Sequence, residues 1–266
     1  MSTFVNLGLT SLNNRLSEID LILEEADNFS DSNQVLYNTL CRSAQVLLSA
    51  HFEGYLKDLV KNSLDDINRY STFKSSNTNL KRLYCEHFIL IKKDDKNSKG
   101  LNKRVEEMIS IFDELDTKFN KDYFSYNDNQ NPKATVIDKI AEQYGIKNLF
   151  DKLTKSNLNI LFSNTLSENI ELKELLKNKL LTLTQAYPYN LTLEYLEIDQ
   201  NNSTSGNLWN AFLSDMLKRR HDIAHGREIE NASSSRQIKD DRIKVEILLY
   251  AFTTFICVNS NPIIEE

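Results

Sequence analysis

The chain has 266 residues, 40% of them hydrophobic and 26% charged, with a net charge of −6 and a sequence pI near 5.4. These values fit a globular protein with room for a sizeable core, as one large domain or two small ones, and they exclude a protein that coats duplex DNA through bulk positive charge. Three Pro and six Gly are the only strong breakers, so a mostly helical protein is the first expectation.

Residues 5–27 place Leu9, Leu12, Leu16, Ile19 and Leu23 at steps of three and four, the pattern of an amphipathic helix. The opening residues lack a basic stretch followed by an apolar run, so they read as helix and not as a leader. Phe29 to Asn33 reads as a turn and cap. Residues 34–68 predict a long helix of about 50 Å. Its stripe of Leu48, Phe52, Tyr55 and Leu59 falls within an arc of about 60°, and Arg42, Ser49 and Glu53 cluster about 120° away. A kink is expected near Gly54.

The middle is more varied. The run from His87 to Ile91 fits a short buried strand or a helix end, and Lys92 to Gly100 a solvated loop. Residues 101–119 predict a helix with Val105, Met108, Ile109 and Phe112 inward. Tyr123 to Pro132 is an Asn-rich loop. Thr135 to Tyr144 reads as a helix ended by Gly145, and two further helical patterns lie near 147–162 and 167–186. A strand is expected over Leu191 to Ile198, then a polar connection to Gly206. A helix bearing Trp209, Phe212, Leu213 and Met216 leads into Lys218 to Gly226. Arg227 to Ser235 is loop-like, and a final helix to Val258 carries Val245, Leu248, Leu249, Phe252 and Ile256 inward. No window is expected to reach membrane-span length, because Glu246 and two Thr interrupt the most apolar stretch. Cys41, Cys85 and Cys257 form no CxxC pair, which leaves neither a zinc knuckle nor a disulfide framework and points to the cytosol.

His, Arg and Asp are most concentrated in Lys218-Arg219-Arg220-His221-Asp222-Ile223-Ala224-His225-Gly226. Arg220 can hold a phosphate, and a histidine such as His225 can move a proton near neutral pH. That pair suits attack of a ribose 2′-hydroxyl on the adjacent phosphate, with His225 as proton carrier and Arg220 stabilising the charge on phosphorus. The nucleophile belongs to the substrate, so no metal or cofactor is called for. Arg220 lies about 20° from Trp209 on the helical wheel and so continues the inward stripe. A buried arginine needs a carboxylate partner or a cleft, and Glu53 is one candidate partner. Gly226 suits the position after a helix end, which puts His225 at the terminus. Residues five apart lie about 140° apart on a helix, so the two meet only through that terminus or across a dimer interface. Arg82 and His87 share the spacing in an apolar context and read as structural.

The longer string, from Trp209 to Gly226 with its Arg-Arg-His-Asp-Ile-Ala-His-Gly end, resembles the HEPN superfamily (higher eukaryotes and prokaryotes nucleotide-binding). Arg220, His221 and His225 match its Arg, polar and His positions. Cys41-Arg-Ser-Ala to Ala50-His-Phe-Glu-Gly-Tyr55 resembles the first long helix of the MAE-type and RiboL-PSP-type branches. The resemblance covers about 35–65 and 205–258. It implies an all-α or mainly α helical bundle with its core in about 1–70 and 205–260 and a largely helical insertion over about 75–200, all in one domain. It further implies a homodimer whose two motifs face each other, and a metal-independent endoribonuclease of the toxin or antiviral class, with an antitoxin or sensor as partner. The alternative is a catalytically silent module that binds RNA or protein. Besides Arg220 and His225, the expected site holds His221, Asp222 and Glu53 in support, with Arg219, Lys218 and Arg42 on RNA phosphates. Asp222 reads as a local hydrogen-bond partner, and His51, on another face, as structural.

Overall fold

The computed structural model describes residues 2–89, 99–124, 132–198, 207–227 and 233–263. Nine α-helices carry them: α1 (Phe4–Asn28), α2 (Gln34–Tyr70), α3 (Thr78–Glu86), α4 (Lys99–Glu114), α5 (Ala134–Gln143), α6 (Leu149–Thr154), α7 (Leu166–Leu183), α8 (Leu208–Ala224) and α9 (Ser235–Ser260). Short 3-10 turns occupy Lys121–Tyr123, Asn157–Phe162 and Glu194–Leu196. The fold is an all-α bundle, with no strand among the described residues.

The two longest amphipathic patterns form the first layer. Asn33 caps α2 by accepting from the Leu36 N–H, and the inward residues of α1 and α2 are all buried, Leu48, Phe52, Tyr55 and Leu59 among them. The helices lie antiparallel and close. A Cβ on Gly8 would come within 2.5 Å of the Asn62 side-chain amide, so that side chain lies directly over Gly8. Asp66, buried near the end of α2, accepts from the Phe4 and Val5 N–H groups at 2.8 and 3.0 Å and from the Tyr189 hydroxyl at 2.7 Å. It thereby satisfies two of the donors that the first turn of α1 leaves free.

Helix α9 runs through the centre, against α2, α7 and α1. It is long and apolar enough to cross a membrane by composition, which corrects the expectation that no segment would be. However, 83% of that apolar window is buried inside the protein. Its buried charged groups are paired, apart from the Arg242 Nε, which has no hydrogen-bond partner among the described residues. Arg242 meets Glu246 and Asp20, and Tyr250 donates to Glu246 and Asn13. Burying these groups without such partners would be costly.

The middle of the chain departs most from expectation. Of the two readings of the run from His87, the helix end holds and the buried strand does not: α3 ends at Glu86 with His87 at its cap, and His87 and Phe88 are exposed; Leu90 and Ile91 lie outside the described residues, as do 92–98 of the expected solvated loop. Gly100 lies inside α4. That helix stops at Glu114, before a left-handed Asp116. The stretch expected as a strand over Leu191 to Ile198 is irregular, with a 3-10 turn at Glu194–Leu196. α7 packs directly on α9 and α1. All three cysteines are buried free thiols.

A candidate Arg–His site at the end of α8

Asn207 starts α8 by accepting from the Asn210 N–H. Trp209, Leu213, Met216 and Leu217 bury one face of the helix, with Trp209 edge-on to Phe162 at 5.2 Å. The helix closes in a Schellman motif. The Arg227 N–H donates to the Asp222 carbonyl at 2.9 Å and the Gly226 N–H to the Ile223 carbonyl at 3.1 Å, with Gly226 at φ +66°. Glycine takes this left-handed turn without penalty. The result is the helix end expected from Gly226, with His225 at the cap, exposed to solvent.

Two adjacent arginines divide the roles. The Arg219 side chain is 11% exposed and meets Asp241 at 2.7 Å and Asp215 at 3.3 Å. Burial pushes the Asp241 carboxyl up to about 6, against the downward pull of Arg219. Arg220 is half-buried and has no hydrogen bond or ion pair among the described residues. Two expectations are thereby corrected. The arginine paired inward is Arg219, not Arg220, and Arg219 is not a free phosphate contact, because two carboxylates already hold it. The reason lies in α9, whose first turns bring Asp241 beneath residue 219.

The His221 and His225 rings touch, with centroids 4.2 Å apart and planes inclined at 55°. His221 is half-buried and His225 exposed. Asp222, with its side chain 15% exposed, sits 3.8 Å from Arg227, the local partnership expected of it. Lys218 is exposed and unpaired among the described residues. Glu53 does not pair with Arg220; Lys57, one turn along α2, holds it at 2.9 Å. Arg42 donates to Thr39 within its own helix at 3.3 Å. His51 lies 3.3 Å from Glu18, away from the motif, and burial lowers its proton affinity.

Sequence reasoning missed two residues. Asp241 is the anchor of Arg219, and only its place in a buried turn of α9 marks it. Lys133, just before α5, joins Ser214, Leu217, Lys218 and His221 around an open groove of about 420 Å³. Nothing in the Asn-Pro-Lys context at 131–133 pointed to it. Among the described residues no three His, Cys, Asp or Glu side chains converge as a metal site would require.

Over residues 10–164 the sequence matches the family model described as RiboL-PSP-HEPN, and the chain belongs to that family. The match runs from α1 through the turn at Asn157–Phe162, across much of the stretch expected to be an insertion, and ends before α7. The motif on α8 therefore lies outside the matched residues. No curated protein and no solved structure matches the chain.

Proposed function

We propose that this protein is an endoribonuclease that cuts RNA by attack of the substrate's own 2′-hydroxyl, with Arg220 and His225 as its catalytic residues. The observation that carries this reading is the contrast between neighbours on α8. Arg219 takes both nearby carboxylates, whereas Arg220, five residues before the exposed His225, has no hydrogen bond or ion pair among the described residues. A purely structural arginine in a half-buried setting is normally paired. An unpaired one can accept a phosphate in bidentate fashion and stabilise charge building on it.

His225 accepts the 2′ proton or delivers one to the leaving 5′ oxygen. The products are a 2′,3′-cyclic phosphate and a 5′-hydroxyl. The nucleophile comes from the ribose, so the reaction requires no metal-activated water. In-line displacement places the entering and leaving oxygens on opposite sides of phosphorus. Two rings in mutual contact, as His221 and His225 are, reach only one side. A second copy of the motif from a homodimer partner supplies the other. His221 packs against His225 and orients it. A cytosolic toxin or antiviral effector, held in check by a partner protein, is the setting we infer.

Family membership alone leaves a second reading, a silent module that binds RNA, because the matched residues stop short of the motif. Incubating RNA with wild type and His225→Ala in EDTA separates the two. Cleavage by wild type alone supports the enzyme. RNA binding with no cleavage by either, at any protein concentration, supports the silent module.

A further inference from the structure

The groove between α5 and α8 has no role in the chemistry above, yet its charge is unusual for this protein. Lys133 and Lys218 flank it, Ser214 and His221 add polar atoms, and buried Leu217 forms its floor. No carboxylate lines it among the described residues. Neither lysine has an ion-pair partner among the described residues, in a chain whose net charge is −6. Three other grooves of comparable size among the described residues differ. One is lined by Asp240 as well as Arg236, one carries Glu86 and Glu142 beside Arg82 and Lys139, and in the third Lys81 is already held by Asp113.

Two lysines that line one concave surface, with no ion-pair partner among the described residues, give it a local positive potential that favours an anion. The position of the groove indicates which anion. His221 lines it, and the same ring touches His225 at 4.2 Å. The groove therefore adjoins the imidazole assigned to proton transfer, with one ring as the shared wall. We propose that it seats the backbone phosphate of a nucleotide neighbouring the scissile one, so that the enzyme selects a continuous single strand over a minimal dinucleotide. Lys133 contributes from outside α8, giving the middle of the chain a part in substrate binding. This inference rests on the ribonuclease reading for its substrate, but its binding arm can be tested without it.

The test compares wild type with Lys133→Gln and Lys218→Gln; both lysines are exposed, so the variants should fold. With a short RNA oligonucleotide, each variant is expected to raise KM on the order of tenfold. The loss on a dinucleotide, which has no second phosphate, should be smaller by about the same factor. In parallel, fluorescence anisotropy follows binding of a labelled all-deoxy single strand, which cannot be cut by 2′-hydroxyl attack. Each variant should weaken that binding and flatten the log–log salt dependence by about 0.7, a change that loss of folding would not produce selectively. Unchanged deoxy-strand affinity and salt slope in both variants would overturn the groove assignment, as would equal losses on oligonucleotide and dinucleotide. Absence of RNA cleavage by wild type would defeat the ribonuclease reading instead, and the anisotropy series would still decide the groove.

Discussion

Two stretches of this chain carry arginine and histidine five residues apart at a helix end, and they are built for different purposes. At the end of α3, Arg82 donates to Glu86 at 3.0 Å and to Asn102 at 2.6 Å. His87 stacks on Tyr123 with centroids 4.6 Å apart and contacts its carbonyl at 3.0 Å. Both side chains thus have partners, and the surrounding Tyr84, Phe88, Phe112 and Tyr123 rings pack around the helix end. At the end of α8, Arg220 has no hydrogen bond or ion pair among the described residues, and His225 faces solvent. The comparison teaches that the spacing is uninformative; what matters is whether the local structure satisfies the two side chains or leaves them available.

The largest effect that would sharpen this contrast is on catalysis. His225→Ala should lower kcat by about 10²–10⁴, with His87→Ala indistinguishable from wild type in the same RNA assay. Equal losses in both would erase the distinction between the two ends. Arg220→Ala should cost about 10²–10³ in kcat while barely moving the thermal midpoint, since no ion pair is broken. A large stability loss would mean that Arg220 is structural after all.

Its neighbour should behave in the opposite way. Arg219→Ala leaves the Asp241 carboxylate buried without its partner and should destabilise the fold by about 3–5 kcal/mol, measured by chemical denaturation. The pH dependence gives a second check. The Asp241 carboxyl titrates near 6 in the folded protein against an ordinary value of 3.8, so the folded state binds its proton more tightly than the unfolded chain does. Its contribution to stability therefore falls as pH rises from about 4 to about 6 and is constant above that range. Asp241→Asn should remove this slope, so wild type loses stability relative to the variant over that interval. A difference that is flat with pH would contradict the assignment. The smallest effect is at Gly226. A Cβ there meets no atom within 4 Å, so Gly226→Ala should cost only the left-handed backbone penalty, about 1–2 kcal/mol.

Much of the bundle was legible in the sequence, because α1, α2, α8 and α9 each bury one periodic apolar face. The end of α8 was also readable, since Gly226 announces the Schellman turn. Leu191 to Ile198 misled because its leucines suggested a strand. A lone strand in a helical protein has no neighbour to satisfy its backbone groups, and the segment folds instead into a turn against the core. The carboxylates that hold Arg219, and their absence at Arg220 among the described residues, were not legible. A helical wheel gives the direction of a side chain on its own helix, but not which carboxylate the next helix places in front of it. Asp241 stands beneath Arg219; the Lys57–Glu53 pair, at i,i+4 within α2, was by contrast readable from spacing alone. Lys133 was hidden for the same reason as Asp241, because its proximity to Lys218 depends on how α5 docks on α8.

The most direct measurement uses an RNA that the wild type cuts at one position, resynthesised with a single 2′-deoxy substitution at the nucleotide 5′ to that bond. Cleavage at the position should disappear, and the unmodified RNA should yield 2′,3′-cyclic phosphate and 5′-hydroxyl ends by mass spectrometry. Cleavage of the deoxy-substituted bond, or ends bearing a 5′-phosphate, would contradict a mechanism in which the ribose supplies the nucleophile and the end of α8 moves its proton.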